Sequence, residues 1–269
     1  MNHKESTLKI TQANLMYNQE LEIAKRYQLF SQENIVVNAD IITLQELNEI
    51  DLMINLLKDS HPYYAINKYS VNPWSPFNSR TAVFSKQILN EVNLCDSIAR
   101  FVTCVKTSVA GQTINVFSIH GPWGATNILE RLEVFERVDK TARELELEDN
   151  SLSIIGGDLN AFDDSREYRF LTGRDIGTEN QGAYWIDAWS TAGTNDNYAT
   201  CSPRDNYYAR LTAQRSGLKE YMRIPDRRID YILTRGWNHG KRGDILDFEM
   251  QDKYNVYSDH WTLNTTIQI

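Results

Sequence analysis

No run of apolar residues in this 269-residue chain approaches the length of a bilayer-spanning helix, which excludes a transmembrane segment of that kind. The opening stretch MNHKESTLKI lacks the apolar core of a secretory signal and passes straight into a strand-like segment, so a cytoplasmic protein is expected. Cysteine is scarce. Cys95, Cys104 and Cys201 are odd in number and without metal-binding spacing, so neither disulfide stapling nor a cysteine metal site is expected, and all three read as free buried thiols. There is no internal repeat, low-complexity tract or Pro/Gly-rich linker, so residues 1–269 read as a single domain. Positive charge is also in short supply: 28 Lys and Arg face 36 Asp and Glu, a net charge of −8. That argues against a protein that coats nucleic acid. It leaves a nuclease open, because a carboxylate cleft built for divalent cations is itself acidic.

What is present alternates between two periods. Leu8 to Ala13, Asp40 to Gln45, Thr81 to Ser85, Phe101 to Val109 and Thr113 to Ile119 read as strands, the last two joined as a hairpin through Ala110, Gly111 and Gln112. Further strands are expected near Ile229 to Thr234, Ile245 to Glu249 and Thr262 to Ile267. Glu20 to Val37, Glu49 to Lys58 and Asn127 to Leu147 are helix-compatible, the last with Leu129, Leu132, Phe135 and Val138 on one stripe. Local hairpins mixed with helix-separated strands imply an α/β sandwich whose sheets are covered by helices. Two segments read as loops. Pro62 to Asn78 is rich in proline and aromatics, and Cys201 to Arg228 carries seven Arg or Lys against three Asp or Glu.

The segment SLSIIGGDLNAF, residues 151–162, concentrates the chemistry. Leu152, Ile154 and Ile155 read as a strand buried on both faces, and Gly156 and Gly157 allow a close backbone approach. By strand alternation Asp158 and Asn160 are expected on one side just past the strand end, where α/β proteins commonly bind ligands. Other strands also end on residues able to handle metal or phosphate. TLKITQANL ends on Asn14, DIITLQEL on Glu46 and NVFSIHGPW on His120; RRIDYIL carries Asp230, and VYSDHWTL carries Asp259 and His260. Each alone has an ordinary explanation, such as a turn cap, a core histidine, or an ion pair between Asp230 and Arg228. The ordered set is much harder to explain that way.

This set, above all GDLN and SDH, with QE after an apolar strand, resembles the endonuclease/exonuclease/phosphatase superfamily, whose members include deoxyribonucleases, apurinic endonucleases and neutral sphingomyelinases. The resemblance runs from Asn14 to residue 260. It implies a four-layered sandwich of two packed mixed β-sheets flanked by helices, and hydrolysis of phosphoesters with Mg²⁺ or Mn²⁺. It also implies that His260 pairs with Asp230, and that His120 contacts phosphate or assists the leaving group. The residues support that chemistry independently. A phosphodiester repels an attacking hydroxide, so a hard cation held by carboxylates must offset its charge. Oxygen donors suit Mg²⁺. Glu46 and Asp259 are therefore the expected metal carboxylates, with Asn14 a ligand or a neighbouring hydrogen-bond donor. Asp158 is placed to orient or deprotonate water, and the Asn160 amide to donate to a phosphate oxygen.

The sequence departs from the apurinic endonucleases after Asn14, where Leu15, Met16 and Tyr17 follow without their Asp, which argues against that repair activity. In SRTAVFSK, Arg80 stands where the sphingomyelinase-like strand has a small residue, and a guanidinium there can grip phosphate. Arg80, Trp123, Tyr207 and Arg210 are the candidate substrate contacts. The basic segment interleaved with Tyr207, Tyr208 and Tyr221 favours nucleic acid. A lipid-headgroup or small-molecule phosphoesterase, with Trp74, Phe77 and Trp123 lining a compact pocket, is the alternative. A catalytically silent binding module of the same fold would be expected to have lost part of the charged set, which is complete here.

Overall fold

The computed structural model describes residues 6–17, 22–70, 79–124, 126–178, 181–194, 198–215, 225–235, 243–251 and 256–269. Trp74, Phe77 and Tyr221, invoked above as aromatic contacts, lie outside them. The chain builds two six-stranded sheets. The first contains β1 (Thr7–Asn14), β2 (Ile41–Leu47), β3 (Tyr63–Ile66), β4 (Arg80–Ser85), β11 (Glu249–Met250) and β12 (Leu263–Gln268), in the order β11-β12-β1-β2-β4-β3. The second contains β5 (Asn90–Glu91), β6 (Val102–Val109), β7 (Gln112–His120), β8 (Leu152–Asp158), β9 (Ile186–Asp187) and β10 (Asp230–Thr234), in the order β5-β6-β7-β8-β10-β9.

Each sheet has one parallel pair near its centre, and each pair is joined by a helical crossover as parallel strands require. β1 and β2 are linked through α1 (Ile23–Gln32) and α2 (Asn34–Val37); β7 and β8 are linked through α5 (Ile128–Asp149). The C-terminal ends of all four strands therefore carry the polar residues. Neighbouring residues in the middle of β2 and β8 face different cores, so apolar pairs such as Ile41–Ile42 and Ile154–Ile155 stand side by side in the sequence. Ile41 and Ile154 meet between the sheets, with Leu8, Ile10, Val83, Val116 and Ile232. Ile42 and Leu44 pack outward with Tyr27 and Phe30 of α1 and with Met53 and Leu57 of α3 (Ile50–Leu57). Ile155 and Phe117 pack outward on Leu132, Phe135 and Val138 of α5. Helices, sheet, sheet and helices form the four layers expected from the sequence.

Gly156 lies against the facing sheet, where a Cβ would collide with Thr43 Oγ1. Leu129 does not join the buried stripe of α5; it is 71% exposed, and the buried Arg131, bonded to Glu167 at 2.7 Å, fills the inward face of the first turn. Ile245 to Glu249 is not a regular strand, since only Ile245 bridges to Ile267 before β11 begins. The two segments read as loops contain β3 and α8 (Tyr207–Arg215), whose patterns are too short to stand out from their polar surroundings. Cys104 and Cys201 are buried, but Cys95 is exposed because it precedes α4 (Asp96–Ala99) on the surface. No helix among the described residues is long and apolar enough to cross a membrane.

Candidate active site

Sheet register gathers the strand-end residues. His120 is the partner of Asp158 across the parallel β7–β8 pair, and Asp230 is the partner of Asp158 across the antiparallel β8–β10 pair. In the other sheet Asn14 lies opposite Gln45, the neighbour of Glu46. The segment carrying Asp259 and His260 leads into β12, which runs antiparallel to β1, so it reaches the same end. The site is thus split between the two sheets and lies at one mouth of their interface.

Glu46 is aimed by a distortion of its strand. The β2–β4 register shifts between Leu44 and Leu47, and Glu46 has φ 55°, a left-handed conformation rare for a side-chain-bearing residue. Such a bulge re-aims a side chain at a functional position. Glu46 Oε2 accepts the Tyr17 amide at 2.7 Å, and Oε1 lies 3.8 Å from His120 Nε2. Burial raises the Glu46 pKa; His120 opposes that rise and Asp259 adds to it.

Asp158 is held on both oxygens, Oδ2 by Asn14 Nδ2 at 3.0 Å and Oδ1 by the Asn160 amide at 2.9 Å. The second bond closes a turn that puts Asn160 at φ 50°, so strand alternation does not carry past Asp158 as the sequence reading assumed. The Asn160 side chain instead donates to Gly121 O at 3.0 Å, tying the β8 exit to the β7 exit. Burial and the Asp230 charge raise the Asp158 pKa despite the nearby histidines. His120 Nε2 lies 3.7 Å from Asp158 Oδ2, and His120 Nδ1 is buried without a hydrogen-bond partner among the described residues.

His260 Nδ1 meets Asp230 Oδ2 at 2.7 Å. Arg228, the ordinary partner considered for Asp230, is engaged elsewhere, with Asp187 and Asp163. Burial opposes charging the His260 ring, but Asp230 and Asp158 outweigh it and hold the pKa well above the ordinary imidazole value. Asp230 is also held from below. Gln12 Nε2 donates to Asp230 Oδ1 at 3.2 Å and to Gln45 Oε1 at 2.6 Å, and Gln45 Nε2 reaches Ser118 Oγ at 3.2 Å. Thr200 Oγ1 accepts the Asp230 amide at 3.2 Å. These supports were missed in the sequence; the available signal was glutamine and serine inside otherwise apolar strands.

Asp259 is partly exposed and accepts Thr212 Oγ1 of α8 at 3.2 Å. Asn14 donates its side-chain amide to Asp158 and accepts the Met16 amide on its side-chain oxygen at 3.0 Å. Asp158, Asp230 and His260 form a compact trio of possible ligand atoms within 4.8 Å of one another. Two of that trio are already joined by the His260–Asp230 bond. Among the described residues, only histidine side chains approach Glu46, Asp158, Asp230 or Asp259 within ion-pairing distance. A surplus of buried and half-buried carboxylate oxygen without lysine or arginine partners is a donor set that fits a hard divalent cation.

The proposed substrate contacts are more scattered. Arg80 opposes Leu47 in register, at the Glu46 end of β2, and donates to Asn67 O at 3.3 Å. Trp123 stands three residues beyond His120 and is 68% exposed; Tyr207, at the start of α8, is 57% exposed. Arg210 is turned onto its own segment, donating to Pro203 O and Arg204 O. In the basic segment, Arg204 pairs with Asp226, Arg227 donates to Cys201 Sγ and Arg228 is buried.

A four-layered sandwich with carboxylates, amides and histidines converging at one mouth of the sheet interface defines a class, the phosphoester hydrolases built on this fold. Consistent with it, the chain belongs to the Endonuclease/Exonuclease/phosphatase family, which matches residues 14–260. Three solved structures share the fold at low identity. Truncated TDP2 from Caenorhabditis elegans is 19% identical with a TM-score of 0.69, covering 98% of both chains. TDP2 from D. rerio, complexed with single strand DNA product, is 17% identical with a TM-score of 0.72, covering 98% of this chain and 100% of that one. A mutant beta toxin from Staphylococcus aureus with bound magnesium ions is 17% identical with a TM-score of 0.67, covering 97% and 99%. No curated protein sequence matches the chain.

Proposed function

We propose that the protein is a phosphodiester hydrolase that requires Mg²⁺ or Mn²⁺ and acts on nucleic acid. The observation that carries the hydrolytic reading is the convergence of Asp158, held on both oxygens, with the Asp230–His260 pair. Glu46 and Asp259 would hold the cation, which supplies charge neutralisation at the phosphate and the leaving oxygen. Asp158 orients the attacking water, and the raised proton affinity that burial gives its carboxylate lets it take a proton from that water. His260, kept charged by Asp230, donates through Nε2 to a phosphate oxygen. His120 stands between Glu46 and Asp158, where it can protonate the leaving group.

Exposed aromatics support nucleic acid over other phosphoesters. Tyr17, Trp123 and Phe162 follow Asn14, His120 and Asn160 within three residues and are 43%, 68% and 45% exposed. Tyr207 adjoins Asn206, which donates to Ser258 O at 2.9 Å. An aromatic rim around a phosphate site suits unstacked bases of a single strand. One observation favours the second reading, a hydrolase of lipid or small-molecule phosphoesters: the arginines of residues 201–228 described above are committed to internal partners, which reduces the charge available to a nucleic-acid backbone. Hydrolysis of bis-p-nitrophenyl phosphate with Mg²⁺, Mn²⁺ or EDTA tests the reaction. Single-stranded DNA, RNA, plasmid DNA, sphingomyelin and phosphoinositides, compared under the same conditions, test the substrate. Full turnover in excess EDTA would sink the metal assignment, and turnover of lipid alone would reverse the substrate preference.

A further inference from the structure

Arg26 belongs to α1, outside the group of residues that carry the chemistry, yet it is 1% exposed beside Tyr27 and Phe30. A guanidinium buried so completely must have its donors met. Its Nη1 donates to Leu15 O at 2.7 Å and to Tyr257 O at 3.1 Å, and its Nη2 to Met16 O at 3.0 Å. The three carbonyls come from two separate segments, and each segment leads directly to one candidate metal carboxylate. Leu15 and Met16 precede Tyr17, whose amide holds Glu46 Oε2. Tyr257 precedes Ser258 and Asp259, and Ser258 Oγ in turn donates to Asn14 O at 2.6 Å. One rigid, planar fork thus ties together the two stretches of backbone on which Glu46 and Asp259 depend.

We propose that Arg26 is a positioning residue that sets the separation of the Glu46 and Asp259 carboxylates, and through it the affinity of the site for a divalent cation. The inference rests on the metal-dependent reading above. Lysine keeps the charge but has a single ammonium, which cannot serve three carbonyls in a fixed plane. Charge alone acts in the opposite direction: a positive group near the site disfavours a second cation, so its removal would tighten metal binding. A loss of affinity in a lysine variant therefore isolates the geometric role.

The test is calorimetric titration of Mg²⁺ into the wild-type chain and into Arg26→Lys, with melting in EDTA followed in parallel. Arg26→Lys is expected to bind Mg²⁺ about tenfold more weakly, the size typical of groups that orient metal ligands. A variant that melts earlier in EDTA but binds Mg²⁺ as tightly as wild type would show that Arg26 serves folding alone and overturn the inference. If the wild type binds no Mg²⁺, the metal reading itself fails. Hydrogen exchange of the wild type provides a check that needs no variant: Mg²⁺ is expected to slow exchange in residues 14–17 and 256–260 at the same ion concentration. Protection of one segment without the other would also overturn the proposal.

Discussion

Replacing Glu46 by glutamine is expected to stabilise the metal-free protein at neutral pH while impairing its chemistry. Burial, and then Asp259, raise the Glu46 pKa above its value in the unfolded chain, about 4.3, so the native state holds that proton the more tightly. The sign follows. Below that unfolded value both states are protonated and the group costs nothing; as pH rises through the folded pKa, ionisation of the buried carboxylate withdraws stability. Glutamine keeps an oxygen for the Tyr17 amide and removes the charge. In a chain of this size each kcal/mol of stability moves the melting temperature by roughly 2–4 °C, so the relief is readable in a melt. A higher melting temperature than wild type at pH 7 in EDTA, with the difference vanishing near pH 4, is the expected result of parallel melts. Saturating Mg²⁺ should raise the wild-type melting temperature and leave the variant nearly unmoved. A variant that melts below wild type at pH 7 in EDTA would refute the reasoning, because the carboxylate would then have to be compensated within the protein.

Three further expectations concern other parts of the molecule. Asp230→Asn and His260→Gln should each remove most of the hydrolytic activity, and the double variant should lose little more; losses that multiply in kcat/KM would show that the pair does not act as one unit. Gly156→Ala should cost about 1–3 kcal/mol in denaturant unfolding by overpacking the sheet interface, and Thr43→Ala in the same chain should recover part of it; no recovery would mean the strain lies elsewhere. In an Asp158→Asn background, Trp123→Ala and Tyr207→Ala should each weaken binding of a single-stranded oligonucleotide by about 1–3 kcal/mol. Salt titration of the same complex should show a steep fall, whereas saturable vesicle binding with no oligonucleotide binding would point to lipid.

The legible parts of the sequence were those in which one residue type at one place carries the signal. β8 was readable because a strand buried on both faces has a continuous apolar core, β1 because its residues alternate, and both lead into a polar residue that has no reason to stand there. The pairing of His260 with Asp230 came from resemblance, since residues 30 apart carry no spacing rule. What was not legible depends on three-dimensional convergence. Glu46 was identified, but not the left-handed bulge that aims it, because glutamate in a strand gives no hint of positive φ. Asn160 was misplaced by extrapolating strand alternation one turn too far. Gln12 and Arg26 look like surface residues in the sequence and are among the most buried polar groups in the protein. The basic segment read as a nucleic-acid track, yet several of its arginines are spent on neighbouring acids, carbonyls and a thiol, a commitment that composition cannot reveal.

The pairing of β1 with β12 sets the timing of biogenesis. Asn14 is synthesised early and is supported by Ser258, while Asp158 and Asp230 belong to the other sheet and His260 comes only just before β12. The candidate site is therefore unfinished in a ribosome-bound chain until residue 260 has emerged and the last strand can close beside the first. Such long-range closure is slow relative to local hairpin formation. A site assembled in this way comes together only when the two ends of the described fold meet, whatever the order in which its other parts form.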